Sequence, residues 1–371
     1  MSKAKQSKAK QSRRNSSVEL LKLLALFIIV ISHSLPRYGT SQYTVDFNYA
    51  RVNLDYVLTI VEYYFGQIGN AIFIACSSWF LLEHNKIRSD KVRMIVTDSF
   101  IISVAYVTLF LLLGIKLDAK TIVKQFFPII FENNWFVSCY LIMYITHGTL
   151  NRLIEAMDKM EHLNIVLGCV FLYGILEIVV SSDYRYCDLL GFFTIYLLVG
   201  YIKKYNRKEY DWSRIFATAF VALLIEIIVT NYCGTIFDAF SDKVLRWCRF
   251  NNIVIIVIAI SLLFIALRFS FYSKSLNYAS SMSLLIYLIH ENDLLSMYIK
   301  PAIWKVICEN LNNSYLAFYT LVFAIILFLV SGLIAVIYKK SIRKWGDIIS
   351  KWAFTRLHMI YEHIMSVVYN L

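Results

Sequence analysis

The sequence predicts an all-α, polytopic membrane bundle of about ten transmembrane helices, with the N- and C-termini both on the inner side. Three observations predict it. Hydrophobic residues fill 59% of the chain and charged ones only 17%, with a mean hydropathy of +0.60, a balance that water-soluble domains do not carry. The apolar residues fall in runs long enough to cross a hydrocarbon core of ~30 Å as helices, separated by short polar segments. When those segments are assigned alternately to the two sides, the inner ones hold roughly twice as many Lys and Arg residues as the outer ones, the asymmetry that keeps basic loops in the cytoplasm. All three prolines, Pro36, Pro128 and Pro301, fall at outer ends of spans, where a residue without an N–H ends a helix instead of kinking it.

The elements follow in order. Residues 1–14 are polar and basic and read as a disordered cytoplasmic arm able to touch anionic lipid. The first span covers about 18–35 and stops at Pro36; 37–54 is an outer loop. The second lies within 56–82, where Gly66, Gly69, Ser77 and Ser78 permit close helix contact. A basic inner loop, 83–93, leads to a third span at 94–115. An outer segment with a short amphipathic helix precedes Asn133-Asn134. The fourth span starts at Trp135, and an inner stretch at 151–162 follows it. Further spans are expected at about 163–180, 188–202, 212–232, 251–269, 277–298 and 315–338, and Arg343 to Leu371 falls in a basic, amphipathic tail, 340–371, that lies on the inner surface.

Composition also excludes. A net charge of +12 points in such a chain to anionic lipid and not to nucleic acid. Seven cysteines occur without a CxxC pair, which argues against a zinc cluster or dithiol site; a Cys233–Cys248 bridge is not expected. No Walker loop is present, no internal repeat is defensible, and the N-terminus lacks a cleavable signal. Nothing in the sequence fixes an oligomeric state.

The chemistry concentrates in residues 13–36. Glu19, Lys22 and His33 sit inside the first apolar run, where a charge costs roughly 2.5–3.5 kcal/mol. Lys22 and His33 are eleven residues apart, so they share a helix face at about 16 Å separation, and Glu19 lies one turn before Lys22. Imidazole titrates near neutrality and suits a general base. Lys22 is either a snorkelling interfacial cation or a partner for an anionic substrate. Arg88, Lys91 and Arg93 form a basic patch that suits phosphate, although sorting of basic loops accounts for them equally. Tyr287, His290 and Glu291 put ionisable groups in a late span, and His290 is expected either to pair with a carboxylate or to line a cavity with His33. Trp135 reads as an interfacial aromatic at headgroup level. Asp98, Glu62, Glu177 and Glu226 are acids with no evident role.

These residues resemble the acyltransferase-3 family, the integral membrane acyltransferases that O-acylate cell-surface carbohydrates in bacteria. Arg14 to Lys22 and on to His33 is similar to the family's opening block, a basic residue, ten positions and a histidine, with Lys22 where arginine is usual. Ile68–Phe73 through Ser77–Leu82 is similar to the second block, with Ser78 in place of glycine. Arg88, Lys91 and Arg93 match the basic pairs that follow. Trp135–Tyr140, Gly200–Ile202 and Ser283–His290 resemble later blocks, and the usual proline after the Trp-Phe helix is absent. The resemblance spans about 13–339 and makes 15–339 a membrane acyltransferase domain. It implies ten spans in the bacterial cell membrane and an acyl-coenzyme A donor, acetyl-CoA first, entering from the cytoplasm past Lys22, Arg88, Lys91 and Arg93. It also implies transfer dependent on His33, with Glu19, Trp135, Tyr287, His290 and Glu291 around the substrates and no metal. The acceptor is a glycan or lipid-linked saccharide. Some relatives carry a fused esterase-like domain; this chain ends without one and is expected to act alone or with a separate partner. The rival reading is a saccharide or small-solute transporter or flippase that uses the same buried groups as a proton path.

Overall fold

A computed structural model of the chain describes residues 15–36, 50–131, 133–176, 187–205, 210–241 and 243–369, and no strand occurs among them. The basic arm, most of the first outer loop and Glu177 lie outside the described residues. Among the described residues, five helices are long and apolar enough to cross a membrane: α1 (Ser16–Ser34), α2 (Leu54–Leu81), α3 (Ser89–Leu112), α8 (Trp212–Ile236) and α13 (Leu316–Ser341). Between them lie α4 (Ala119–Phe126), α5 (Trp135–Ala156), α6 (Lys159–Cys169), α7 (Asp188–Tyr205), and α9 (Ile253–Arg268), which is apolar but shorter. The fifth expected span loosens after α6 into a π turn at Val170–Ile175.

The ninth expected span is corrected. Instead of one helix over 277–298, the chain forms α10 (Lys274–Ser280), α11 (Ser283–His290), a π turn at Leu295–Ile299 and α12 (Lys300–Asn310). Broken backbone at membrane depth must find internal partners, and here it does. Tyr106 Oη donates to the Ile289 carbonyl at 2.7 Å, and Leu294 N–H donates to Asn292 Oδ1 at 3.0 Å. Asn292 in turn donates to Gln125 of α4 at 3.1 Å, so the short amphipathic helix expected in an outer loop reaches inward and braces the break.

More than half of α1 and α2 is buried, whereas α8 and α13 turn mostly outward. The pair is central because its glycines allow it. A Cβ on Gly66 would sit 2.5 Å from Ser32 Oγ, and one on Gly69 would sit 2.5 Å from Ile29 Cγ1 and 2.7 Å from the Ala25 carbonyl. The start of α1 is stitched to the chain around α10. Asn15 Nδ2 donates to the Phe269 carbonyl at 3.0 Å, Ser17 Oγ to the same carbonyl at 2.8 Å, and Ser16 Oγ to Asn277 Oδ1 at 2.9 Å. The Asn-Ser-Ser opening block is therefore a helix fastener.

The tail is a single helix, α14 (Arg343–Tyr369), docked on α3 by charge pairs. Arg93 meets Asp347 Oδ1 at 2.6 Å and Ser350 Oγ at 2.8 Å, and Arg343 meets the buried Asp98 at 2.7 Å with Tyr338 Oη donating to the same carboxylate at 2.9 Å. Asp98 thus acquires a role: it anchors the last two helices to α3. Trp345, Ile349 and Trp352 stay exposed on the helix, as an amphipathic surface helix requires. All seven cysteines are free thiols.

Candidate active site

The C-terminal end of α1 meets the broken α11–α12 segment. His33 lies in the last turn of α1, where helix carbonyls lack intrahelical donors. Two side chains of α12 supply them: Lys300 Nζ donates to the His33 carbonyl at 3.1 Å, and Trp304 Nε1 to the Ser34 carbonyl at 2.8 Å. An ammonium at a helix C-terminus is also favourable to the helix dipole. Lys300 is 2% exposed and pairs with Glu291 Oε2 at 3.5 Å, so its buried charge is compensated.

The hydrogen bonds fix the protons. His290 Nδ1 lies 2.8 Å from the Ile286 carbonyl; a carbonyl only accepts, so this nitrogen carries the hydrogen and Nε2 keeps its lone pair. That Nε2 lies 3.2 Å from His33 Nδ1, with the two rings stacked at 5.4 Å. Glu291 Oε2 lies 2.8 Å from the same His33 nitrogen. Both neighbours are acceptors, so His33 Nδ1 donates, and in the neutral ring His33 Nε2 holds the lone pair. A carboxylate behind Nδ1 orients an imidazole and stabilises the cation that forms when Nε2 takes a proton. His290 and Glu291, adjacent at the end of one helix, thus become partners of His33 on another. One ligand atom from each of His33, His290 and Glu291 lies within 4.8 Å of the others, a spacing that suits a metal ion, and the Lys300 ammonium lies 3.5 Å from Glu291 beside them.

A cavity of about 560 Å³ opens at the other end of α1. Its mouth carries Lys22, Arg88, Lys91, Lys339 and Arg343, and its depth is lined by Leu26, Ile29, Phe73, Phe136, Val137 and Tyr287. Lys22 lies 3.5 Å from Glu19, whose other oxygen accepts from Ser280 Oγ, and its ammonium sits 4.9 Å from the centre of the Phe80 ring. Lys91 donates to Tyr140 Oη at 2.7 Å and lies over the Tyr144 ring. Arg88 is 73% exposed with Asp90 at 2.8 Å. Cations above an apolar shaft suit a molecule with phosphates at one end and an uncharged arm at the other.

The structure sorts the sequence-predicted residues. His33, His290 and Glu291 come together, with the Tyr287 ring 6.4 Å from His33 and 5.6 Å from His290. Lys22, Arg88, Lys91 and Glu19 line the mouth. Arg93 does not: it is buried and spent on Asp347 and Ser350. Trp135, partly exposed, stacks on Phe250 at 5.9 Å and backs Phe136 at 5.6 Å, behind the cavity wall. Sequence reasoning missed Lys300, which falls between the expected spans 277–298 and 315–338, Lys339, just past the last expected span, and Arg343 in the tail; a lysine set directly before Pro301 in an apolar stretch was the available signal.

A family model for the acyltransferase domain, acyltransferase-3, matches residues 15–339. No curated protein and no solved structure matches the chain.

Proposed function

The chain belongs to the acyltransferase-3 family and is a membrane acyltransferase; on that premise we propose that it moves an acyl group, acetyl first, from a coenzyme A thioester to a hydroxyl of a cell-surface polysaccharide or its lipid-linked precursor. One observation carries the reading. A cavity with a cationic mouth runs along α1 and ends one aromatic ring from an imidazole whose far nitrogen is held by a carboxylate. The phosphates of the donor pair with Lys22, Arg88, Lys91, Lys339 and Arg343, and its pantetheine arm follows the apolar wall toward Tyr287.

His33 Nε2 takes the proton of the acceptor hydroxyl as its oxygen bonds to the thioester carbonyl carbon. The C–S bond then breaks, and the leaving sulfur receives that proton from the imidazolium. Glu291 steadies the imidazolium, His290 fixes which nitrogen bears hydrogen, and Lys300 holds Glu291 in its ionised form. Ten spans with both termini in the cytoplasm, in a bacterial cell membrane, fit this direction: the basic loop 83–93, the start of α1 and the end of α13 share the cavity's mouth, and their Lys and Arg excess marks the inner side.

Glycan NMR of cells carrying the wild-type protein or His33→Ala tests the reading. O-acyl groups are expected to vanish in the variant at unchanged protein level. Retained acylation would count against His33 as the base, and saccharide movement without thioester consumption would favour the transporter reading.

A further inference from the structure

His33 is not among the residues that line the basic cavity, although Tyr287 is. The Tyr287 ring is 6% exposed. It packs 5.8 Å from Phe136 on the cavity side, and 6.4 Å from His33 and 5.6 Å from His290 on the other. A thioester that enters past Lys22 therefore meets this ring before it meets the imidazole. Tyr287 also sits on α11, a helix of eight residues bounded by a turn on one side and by the break at Glu291 on the other. Tyr106 holds the Ile289 carbonyl at the end of this helix, so opening a path past it turns the Tyr287 side chain and leaves the helix in place.

We propose that Tyr287 is the gate between the donor cavity and His33, and that its ring keeps the thioester from meeting the activated imidazole, which is itself 13% exposed, out of turn. This rests on the acyl-transfer reading. The chemical need is plain. A base able to take a proton from a sugar hydroxyl takes one from water equally well. Water oxygen would then bond to the thioester carbonyl carbon, the C–S bond would break, and the proton would return from His33 to the leaving sulfur, giving a free carboxylic acid and coenzyme A with no acceptor modified. Holding the thioester back until the acceptor is present prevents that loss. Phe136, from the start of α5, braces the ring in its closed position.

The test is acceptor-free hydrolysis of acetyl-CoA by the purified full chain, with coenzyme A binding measured alongside. Tyr287→Ala is expected to raise hydrolysis about ten-fold or more, Tyr287→Phe, which keeps the ring, to leave the leak low, and Tyr287→Ala combined with His33→Ala to abolish the gain. Phe136→Ala, which removes the brace, opens the same leak by a second route. Hydrolysis at the wild-type level in both Tyr287→Ala and Phe136→Ala, with coenzyme A still bound and acetyl still transferred, overturns the gate and leaves the acyltransferase standing. A wild-type protein that consumes no acetyl-CoA even with acceptor overturns both.

Discussion

The two ends of α1 hold charge in opposite ways. At the cavity mouth Arg88 is 73% exposed and shares its charge with Asp90 in water, and Lys22 retains partial exposure beside Glu19. At the other end Lys300 is 2% exposed and His290 fully buried, each committed to a named partner. Exposed charges act additively and are screened by salt. Buried ones act as a unit, because removing one leaves its partner uncompensated. The mouth is thus built for graded affinity and the far end for a fixed protonation pattern.

The sharpest way to break this contrast is at the buried end. Glu291→Gln is expected to lower kcat by about 10²-fold or more with little change in KM for the donor, read by steady-state kinetics. Lys300→Met leaves Glu291, which is 18% exposed, without its cation and should cost about 1–3 kcal/mol of stability, seen as a lower melting temperature in detergent. Packing between the two ends comes next: Gly69→Val drives a side chain into Ile29 and the Ala25 carbonyl and should cost about 1–3 kcal/mol, by the same melting assay. At the mouth, Arg88→Ala and Lys339→Ala should each raise KM for acyl-CoA by a few-fold, about 1 kcal/mol or less, with the difference shrinking as salt rises. The smallest effect concerns the tail. Lys351 and Arg93 hold the Asp347 carboxyl below its ordinary value, so its contribution to docking α14 is complete above the ordinary carboxylate range and fades as pH falls through the lowered value. Protection from hydrogen exchange in 343–350, taken relative to the intrinsic rate at each pH, should fall on acidification, and Asp347→Asn should remove that dependence.

The same contrast explains what the sequence reveals. Helices α1, α2, α3 and α13 announce themselves because each is a long apolar run, and Gly66 and Gly69 announce a close contact because small residues recur at helical spacing. His33 is legible as a polar residue in such a run. Of its partners, His290 and Glu291 are legible as ionisable groups in a late span, and Lys300 is not. Glu291 and Lys300 come within reach only because the ninth element breaks after His290, and that break is held by Tyr106 and Gln125 from distant elements. Arg93 misleads for the same reason: it stands in a basic loop pattern, yet Asp347, far along the chain, claims it. Periodicity reports what a helix faces on average, while partners across hundreds of residues are decided by tertiary packing.

The most direct measurement is transfer of isotopically labelled acetyl from coenzyme A to a saccharide acceptor by purified wild-type protein and His33→Ala, with coenzyme A binding followed in both. The account predicts that both bind coenzyme A and only the wild type transfers label. Label transferred by His33→Ala at the wild-type rate would contradict it.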